Sequence, residues 1–140
     1  KLNVRRISCE EMSDERENDL IGFVHVTGAW EGSLAIQCPN ILVRRAAAVM
    51  FNLDPGKVSV REVRGVLGEL AHMLVGNLKV ILPRPSYISF PMVTEWGNSR
   101  PWTSGCRSVC QITFTCEGYP FRVNLLEQVK EGRSKRGSIL

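Results

Sequence analysis

Long apolar runs are absent from this sequence of 140 residues. Its longest purely apolar stretch, residues 46–51, has six residues, whereas a helix that crosses a bilayer needs about 20. No stretch at the N-terminus combines basic residues, an apolar run and a small-residue cleavage site, so we expect no secretory signal. The sequence therefore predicts a cytoplasmic protein that does not insert into a membrane.

Cysteine is present, but its pattern favours neither a metal site nor a disulfide framework. The count is odd, there is no C-x-x-C pair, and no histidine follows at zinc-finger spacing. Cys110 and Cys116 fall on the apolar phase of an alternating stretch, where a free cysteine behaves as a small hydrophobe. We therefore expect a reduced protein without a metal site of its own. The five cysteines are Cys9, Cys38, Cys106, Cys110 and Cys116.

Motifs for nucleic-acid binding are also missing. The net charge is only +4, and we find neither an RNA-recognition aromatic motif nor a helix-turn-helix pattern. Arg44, Arg45 and the basic C-terminal tail leave open a nucleic-acid or membrane-surface binder, whose affinity would fall steeply with added salt. Because the two arginines are more simply explained as the solvent-exposed side of a helix, we expect no nucleic-acid partner.

The patterns that are present describe an ordinary small domain. With 44% hydrophobic and 23% charged residues, the chain predicts one domain over residues 1–140, with residues 1–18 and 130–140 peripheral. Clean alternation predicts antiparallel strands with one buried face, and two helices follow the first hairpin. We therefore expect an α+β fold in which an antiparallel sheet carries two main helices packed on one face. The predicted strands lie near residues 20–26, 33–38, 87–94, 110–116 and 121–125, and Pro91 indicates an edge strand or a bulge.

Each predicted helix has an apolar stripe. That of the first helix, which begins near Asn40, consists of Leu42, Ala46, Val49, Met50 and Leu53. The second helix, residues 59–82, opens with a capping box in which Ser59 and Glu62 exchange hydrogen bonds. Its stripe consists of Val63, Val66, Leu67, Leu70, Met73 and Leu74.

The opposite face of the second helix combines a carboxylate, an imidazole and glycines. Steps of three and four residues give Glu62, Gly65, Glu69, His72 and Gly76, with Gly68 beside them. A glycine inside a helix costs about 1 kcal/mol relative to alanine, so three glycines indicate that another surface approaches the backbone. That surface is either the protein's own strands or a second molecule. Spacing alone leaves open an ordinary solvated Glu–His pair.

Several stretches together resemble the CheX branch of the CheC/CheX/FliY chemotaxis phosphatases. They are IGFVHVTGAWEGSLAI, NILVRRAAAVMFNL and VREVRGVLGELAHMLVGNLKVIL, followed by ISFPMV, within residues 21–93. The family pattern of E-x-x-N, then G-N-x-K and later S-x-P falls on Glu69 to His72, on residues 76–79 and on residues 89–91. His72 thus stands where the family has its catalytic asparagine.

The resemblance implies a phosphatase that hydrolyses the acyl phosphate of a phosphorylated CheY-type receiver domain. It implies that the receiver supplies the phospho-aspartate and the Mg²⁺, that the chain needs no cofactor of its own, and that it forms a homodimer. It further implies catalytic roles for Glu69 and His72, and partner-binding roles for Glu62, Gly65, Gly68 and Gly76.

The histidine leaves a second hypothesis open. An asparagine side chain offers a donor and an acceptor together, whereas a neutral imidazole offers one acceptor nitrogen and a donor on its far side. His72 is therefore expected either to hold or activate the attacking water, or to mark a catalytically degenerate receiver-binding module of the same fold.

Overall fold

The computed structural model describes residues 4–7, 18–97 and 105–129. Predictions on the remaining residues, including Cys9 and the basic C-terminal tail, lie outside the described residues. The described elements are β1 (Val4–Ile7), β2 (Asp19–Gly28), β3 (Gly32–Pro39), α1 (Asn40–Phe51), α2 (Val60–Leu78), β4 (Ser86–Ile88), β5 (Met92–Glu95), β6 (Cys106–Cys116) and β7 (Tyr119–Gln128), with 3₁₀ turns at Pro55–Lys57 and Lys79–Ile81.

The described strands form one antiparallel sheet. Its order is β1-β6-β7-β3-β2-β4, and β5 also pairs with β2. The predicted first hairpin is present, because β2 and β3 pair from Asp19 opposite Pro39 to Val26 opposite Gly32. Strand β1 lies at an edge of the sheet, where Val4 is opposite Cys116.

Both helices pack on the same face of this sheet. The core between the layers includes Val24, Leu34 and Ile36 from the strands, with Ala47 from α1 and Leu67 from α2. On each of these strands the core positions alternate with residues that point to the other face. The predicted α+β fold, with two helices on one face of an antiparallel sheet, is confirmed.

A close contact between Gly22 and Leu67 fixes the way in which α2 lies on the sheet. A Cβ atom added at Gly22 would lie 2.8 Å from the Leu67 Cγ and 3.1 Å from the Leu67 carbonyl oxygen. Leu67 itself is completely buried. Because the helix meets β2 at this position, the residues on the opposite side of α2 face solvent.

The predicted apolar stripes are partly wrong. In α1 the buried residues are Leu42, Val43, Ala47 and Ala48, whereas the predicted Val49, Met50 and Leu53 are 57%, 55% and 41% exposed. In α2 the predicted Met73 and Leu74 are 55% and 41% exposed. The reason is that apolar residues surround much of both helices, so that several rotations about the helix axis bury similar areas and tertiary packing selects one.

The interior also holds two buried thiols. Cys38 and Cys116 are free and buried in the core between helices and sheet. Burial, followed by repulsion from Asp19 and from Cys116, raises the pKa of Cys38 well above its ordinary value. Burial likewise raises the pKa of Cys116, with Glu117 adding to the effect. The prediction that Cys116 faces the core is confirmed, but Cys110 is exposed.

Candidate functional site

The capping box of α2 is present as predicted. The Ser59 N–H donates to Glu62 Oε1 at 2.9 Å, and the Glu62 N–H donates to Ser59 Oγ at 3.1 Å. These two bonds satisfy backbone groups that would otherwise lack partners at the helix start. The predicted partner-binding residue Glu62 is therefore engaged in holding the first turn of the helix.

Past this turn, α2 presents the predicted open stripe to solvent. Gly65, Glu69, His72 and Gly76 are all exposed, and a Cβ atom added at Gly65 or Gly76 would meet no atom within 4 Å. At a spacing of three residues, the Cβ atoms of Glu69 and His72 lie about 5–6 Å apart. Within the described residues neither side chain has a hydrogen-bond or ionic partner, so both are available to a second molecule.

Gly68, which the sequence predicts as a partner-binding residue beside the stripe, is not exposed as the stripe is. It is buried, and an added Cβ atom would lie 3.4 Å from Pro91 Cβ and 3.6 Å from Val93 Cγ2. The surface that approaches the backbone here belongs to the protein itself. It is the edge of the sheet formed by β4, β5 and residues 89–91 between them, which we call the edge strand. A side chain at position 68 that extends beyond Cβ would have to displace Pro91 or Val93.

Pro91 indicates an edge strand or a bulge, and the edge strand of the structure contains a bulge at this residue. Val26 of β2 is opposite Ile88, and Phe23 is opposite Met92. The two residues of β2 between these pairs therefore face three residues of the edge strand, Ser89 to Pro91. The Ser89 hydroxyl accepts from the backbone N–H of His25 at 2.9 Å and donates to the Phe90 carbonyl at 3.0 Å.

An arginine missed by the sequence analysis connects α2 to the edge strand. Arg64 donates to the Val93 carbonyl at 3.1 Å and forms an ion pair with Glu95 at 3.3 Å. It precedes Gly68 by one helical turn, so Arg64 and Gly68 share the side of α2 that faces β5. The sequence does contain a signal for this contact. Arg64 precedes the helical glycine Gly68 by one turn, and the strand opposite ends in Glu95, which can pair with an arginine.

The arginines considered for a basic surface serve internal contacts. Arg44 donates to the carbonyls of Pro55 and Val58, which connects α1 to the 3₁₀ turn. The Arg45 guanidinium lies 5.3 Å from the centre of the Tyr119 ring, a cation–π geometry. Both arginines therefore make contacts within the fold.

Glu69 and His72 are exposed on α2 and lie outside the apolar groove of the structure. A groove of about 360 Å³ opens between α1, α2 and the sheet, but its walls are apolar side chains such as Met50, Leu70 and Leu74. Neither Glu69 nor His72 lines that groove. An exposed helix edge of this kind is compatible with insertion into the cavity of a partner.

The described residues include neither a metal-binding cluster nor a membrane-spanning helix. No group of three or more His, Cys, Asp and Glu side chains there is placed to hold a metal ion. Nor does any helix in that part of the chain have the length and apolar character required to cross a membrane.

The described residues form an α+β domain in which one polar edge of α2 is exposed to solvent. The family model described as "Chemotaxis phosphatase CheX" matches residues 20–114, which is more than half of the chain. The chain therefore belongs to the CheX family. No curated protein sequence matches it.

Solved structures have the same fold. CheX from Vibrio vulnificus is 21% identical with a TM-score of 0.64, and the match covers 79% of this chain and 77% of that one. A chain of the CheX–CheY–BeF3–Mg²⁺ complex from Borrelia burgdorferi is 16% identical with a TM-score of 0.63, covering 91% and 82%. FliY from Thermotoga maritima is 17% identical with a TM-score of 0.54, covering 91% and 72%.

Proposed function

We propose that this chain hydrolyses the acyl phosphate of a phosphorylated response-regulator receiver domain of the CheY type. The observation that carries the proposal is the open stripe of α2, where the exposed Glu69 and His72 stand between glycines that leave the backbone bare. Membership of the CheX family and the fold shared with a chain of a complex that contains CheY support the same partner. A cytoplasmic location is part of this proposal, because receiver domains work in the cytoplasm.

In the proposed mechanism α2 enters the receiver's phosphorylation pocket edge-on. The neutral imidazole of His72 accepts a hydrogen bond from a water molecule and holds it in line with the phosphorus atom. The water oxygen forms a new P–O bond, the bond to the aspartate oxygen breaks, and inorganic phosphate and the aspartate carboxylate result. The proton of the water passes to His72 or to the released phosphate. Phosphoryl transfer depends mainly on positioning and charge, so one well-placed side chain suffices.

The proposal divides the remaining roles between the two proteins. Glu69 contacts the receiver beside the pocket and fixes the depth of insertion. In this proposal the receiver brings the phospho-aspartate and its Mg²⁺. Gly65 and Gly76 keep the stripe free of side chains on either side of Glu69 and His72.

A second candidate function rests on the identity of residue 72. An imidazole is longer and flatter than a carboxamide and has its donor and acceptor on opposite sides, so it is also compatible with a module that binds receivers without hydrolysis. The variant His72→Asn separates the two. Faster hydrolysis in the variant would identify a degenerate enzyme, whereas slower hydrolysis would identify His72 as the working residue.

The direct test uses the receiver domains of the source organism, each phosphorylated with a small acyl phosphate in the presence of Mg²⁺. We expect the purified chain to accelerate the loss of phosphate from at least one of them. Glu69→Gln is expected to abolish this acceleration, and Glu117→Gln, at an exposed turn between β6 and β7, serves as the matched control. If the rate of phosphate loss is unchanged for every receiver, the proposed phosphatase activity is refuted.

A homodimer is part of the proposal. The support is the family resemblance, together with exposed apolar side chains on the two helices, Val49, Met50, Met73 and Leu74. Light scattering should give a mass near twice the 15.7 kDa of the chain. A mass equal to that of one chain at micromolar concentration would refute the dimer and leave the phosphatase proposal intact.

A further inference from the structure

The bulge beside α2 holds a large aromatic side chain in solvent. Phe90 is 90% exposed, the highest value among the exposed large apolar residues of the described chain. Phenylalanine gains substantially from burial and is usually buried. The exposure of Phe90 in the bulge therefore indicates that another surface covers its side chain.

The backbone around Phe90 is held firmly. The extra residue of the bulge removes the regular strand partner of the His25 N–H, and the Ser89 hydroxyl takes its place at 2.9 Å. The Ser89 N–H in turn donates to the His25 carbonyl at 2.9 Å. The same hydroxyl donates to the Phe90 carbonyl. Since both neighbours of Phe90 are fixed, by Ser89 on one side and by Pro91 against Gly68 on the other, the ring is presented before any partner arrives.

The bulge also lies beside the proposed catalytic residues. Along α2, Arg64 meets Glu95 and Val93, and one turn later Gly68 meets Val93 and Pro91. The helix and the edge strand thus run in opposite directions. One further turn along α2 is His72, which this progression brings level with residues 89 and 90.

We propose that Phe90 is the apolar anchor of the receiver domain, inserting into an apolar recess beside the receiver's phospho-aspartate pocket. This inference rests on the proposed function. The open stripe itself consists of glycines and polar side chains and offers little apolar area, whereas protein interfaces draw most of their affinity from a few aromatic residues. Phe90 would supply that area next to the inserted edge. It would also restrict the enzyme to receivers that have the recess.

The test separates binding from chemistry. A receiver domain that the parent protein dephosphorylates is loaded with BeF3 and Mg²⁺ as a stable stand-in for its phosphorylated form, and its dissociation constant is measured by titration. Single-turnover hydrolysis at saturating enzyme gives the chemical rate. The variants are Phe90→Ala, Phe90→Leu and, as the matched control, Phe51→Ala. Phe51 is 48% exposed at the end of α1, which packs over β3 rather than over the edge strand.

We expect Phe90→Ala to weaken binding by at least about tenfold, the effect of losing an interface hot spot, with an unchanged rate at saturation. Phe90→Leu should restore most of the affinity, and Phe51→Ala should match the parent. Because the ring is exposed, thermal melting should be unchanged in each Phe90 variant.

Two results would refute the role of Phe90 as an anchor without refuting the proposed function. One is a dissociation constant of Phe90→Ala within twofold of the parent. The other is a decrease in the hydrolysis rate at saturation with no change in the dissociation constant. In both cases the parent would still hydrolyse the acyl phosphate. If the parent hydrolyses no receiver, the proposed function fails and the anchor fails with it.

Discussion

Gly68 of α2 and Pro91 of the edge strand are in contact, and a methyl group at Gly68 would lie 3.4 Å from the Pro91 Cβ. This contact brings the bulge and the helix together without any side chain between them. It makes Gly68 a residue of internal packing, and it leaves Gly65 and Gly76 as the glycines that face solvent. The three glycines of one helix therefore act in two different ways.

The Gly68 contact predicts opposite effects for a small and a large substitution. In Gly68→Ala the new methyl group makes ordinary van der Waals contacts, and the helix gains about 1 kcal/mol of intrinsic propensity. In Gly68→Leu the branched side chain must displace Pro91 and Val93, and overpacking of this kind costs about 1–3 kcal/mol. Urea unfolding of the two variants beside the parent measures both effects. Equal free energies of unfolding for the alanine and leucine variants would show that the edge strand moves away from the leucine side chain at no cost in stability.

At Gly65 we expect stability and activity to move in opposite directions. Gly65→Ala places its methyl group in open space, so the free energy of unfolding should rise by about 0.5–1 kcal/mol. The same methyl group would stand in the way of the receiver, and phosphatase activity should fall at least about tenfold. Gly56→Ala is the control, because its Cβ atom also meets open space but lies outside α2. A Gly65→Ala protein with full activity would mean that this end of the stripe does not enter the partner.

The sequence predicts the fold well because its strongest patterns act over short distances. The first hairpin, the capping box of Ser59 and Glu62 and the bulge at Pro91 all depend on neighbouring residues or on the geometry of proline. The stripes of α1 and α2 are predicted less well. Val49, Met50 and Met73 are as apolar as the residues that are buried. Tertiary packing, including the close approach of Gly22 to Leu67, selects the face of α2 that meets the sheet.

In the candidate site too, the residues that depend on local spacing are predicted and those that depend on distant contacts are not. Glu69 and His72 are predicted from helical spacing and are found together on the exposed face of α2. Gly68 could not be separated from Gly65 and Gly76 by spacing, because the distinction depends on a strand more than 20 residues later in the chain. The same holds for Arg64 and Phe90, whose surroundings arise only when α2 meets the bulge.

The capping box predicts a measurable contribution to the stability of α2. Ser59→Ala removes the hydroxyl that accepts from the Glu62 N–H, and the loss of such a cap costs about 1 kcal/mol. Glu62→Ala and the double variant complete a thermodynamic cycle by urea unfolding. Because the two side chains act reciprocally, the double variant should be less destabilised than the sum of the single variants. Strict additivity would contradict the reciprocal arrangement.

The buried thiols predict a loss of stability at alkaline pH. The folded protein holds the pKa of Cys38 above its ordinary value, because burial and the neighbouring Asp19 disfavour the thiolate. The unfolded chain therefore releases this proton first, at about pH 8.5. The stabilisation is fully present below that pH and is lost as the pH rises above it, with a slope of up to about 1.4 kcal/mol per pH unit for each such thiol.

Unfolding free energies of the parent and of Cys38→Ala between pH 7 and pH 10 test this expectation, in a reducing buffer. The variant should show a shallower decline above about pH 8.5, whatever its stability at neutral pH, because it has lost a group whose ionisation favours the unfolded chain. Cys110→Ala, which removes an exposed thiol, controls for the substitution itself. Parallel curves for the parent and Cys38→Ala would show that the Cys38 thiol does not contribute to the alkaline instability.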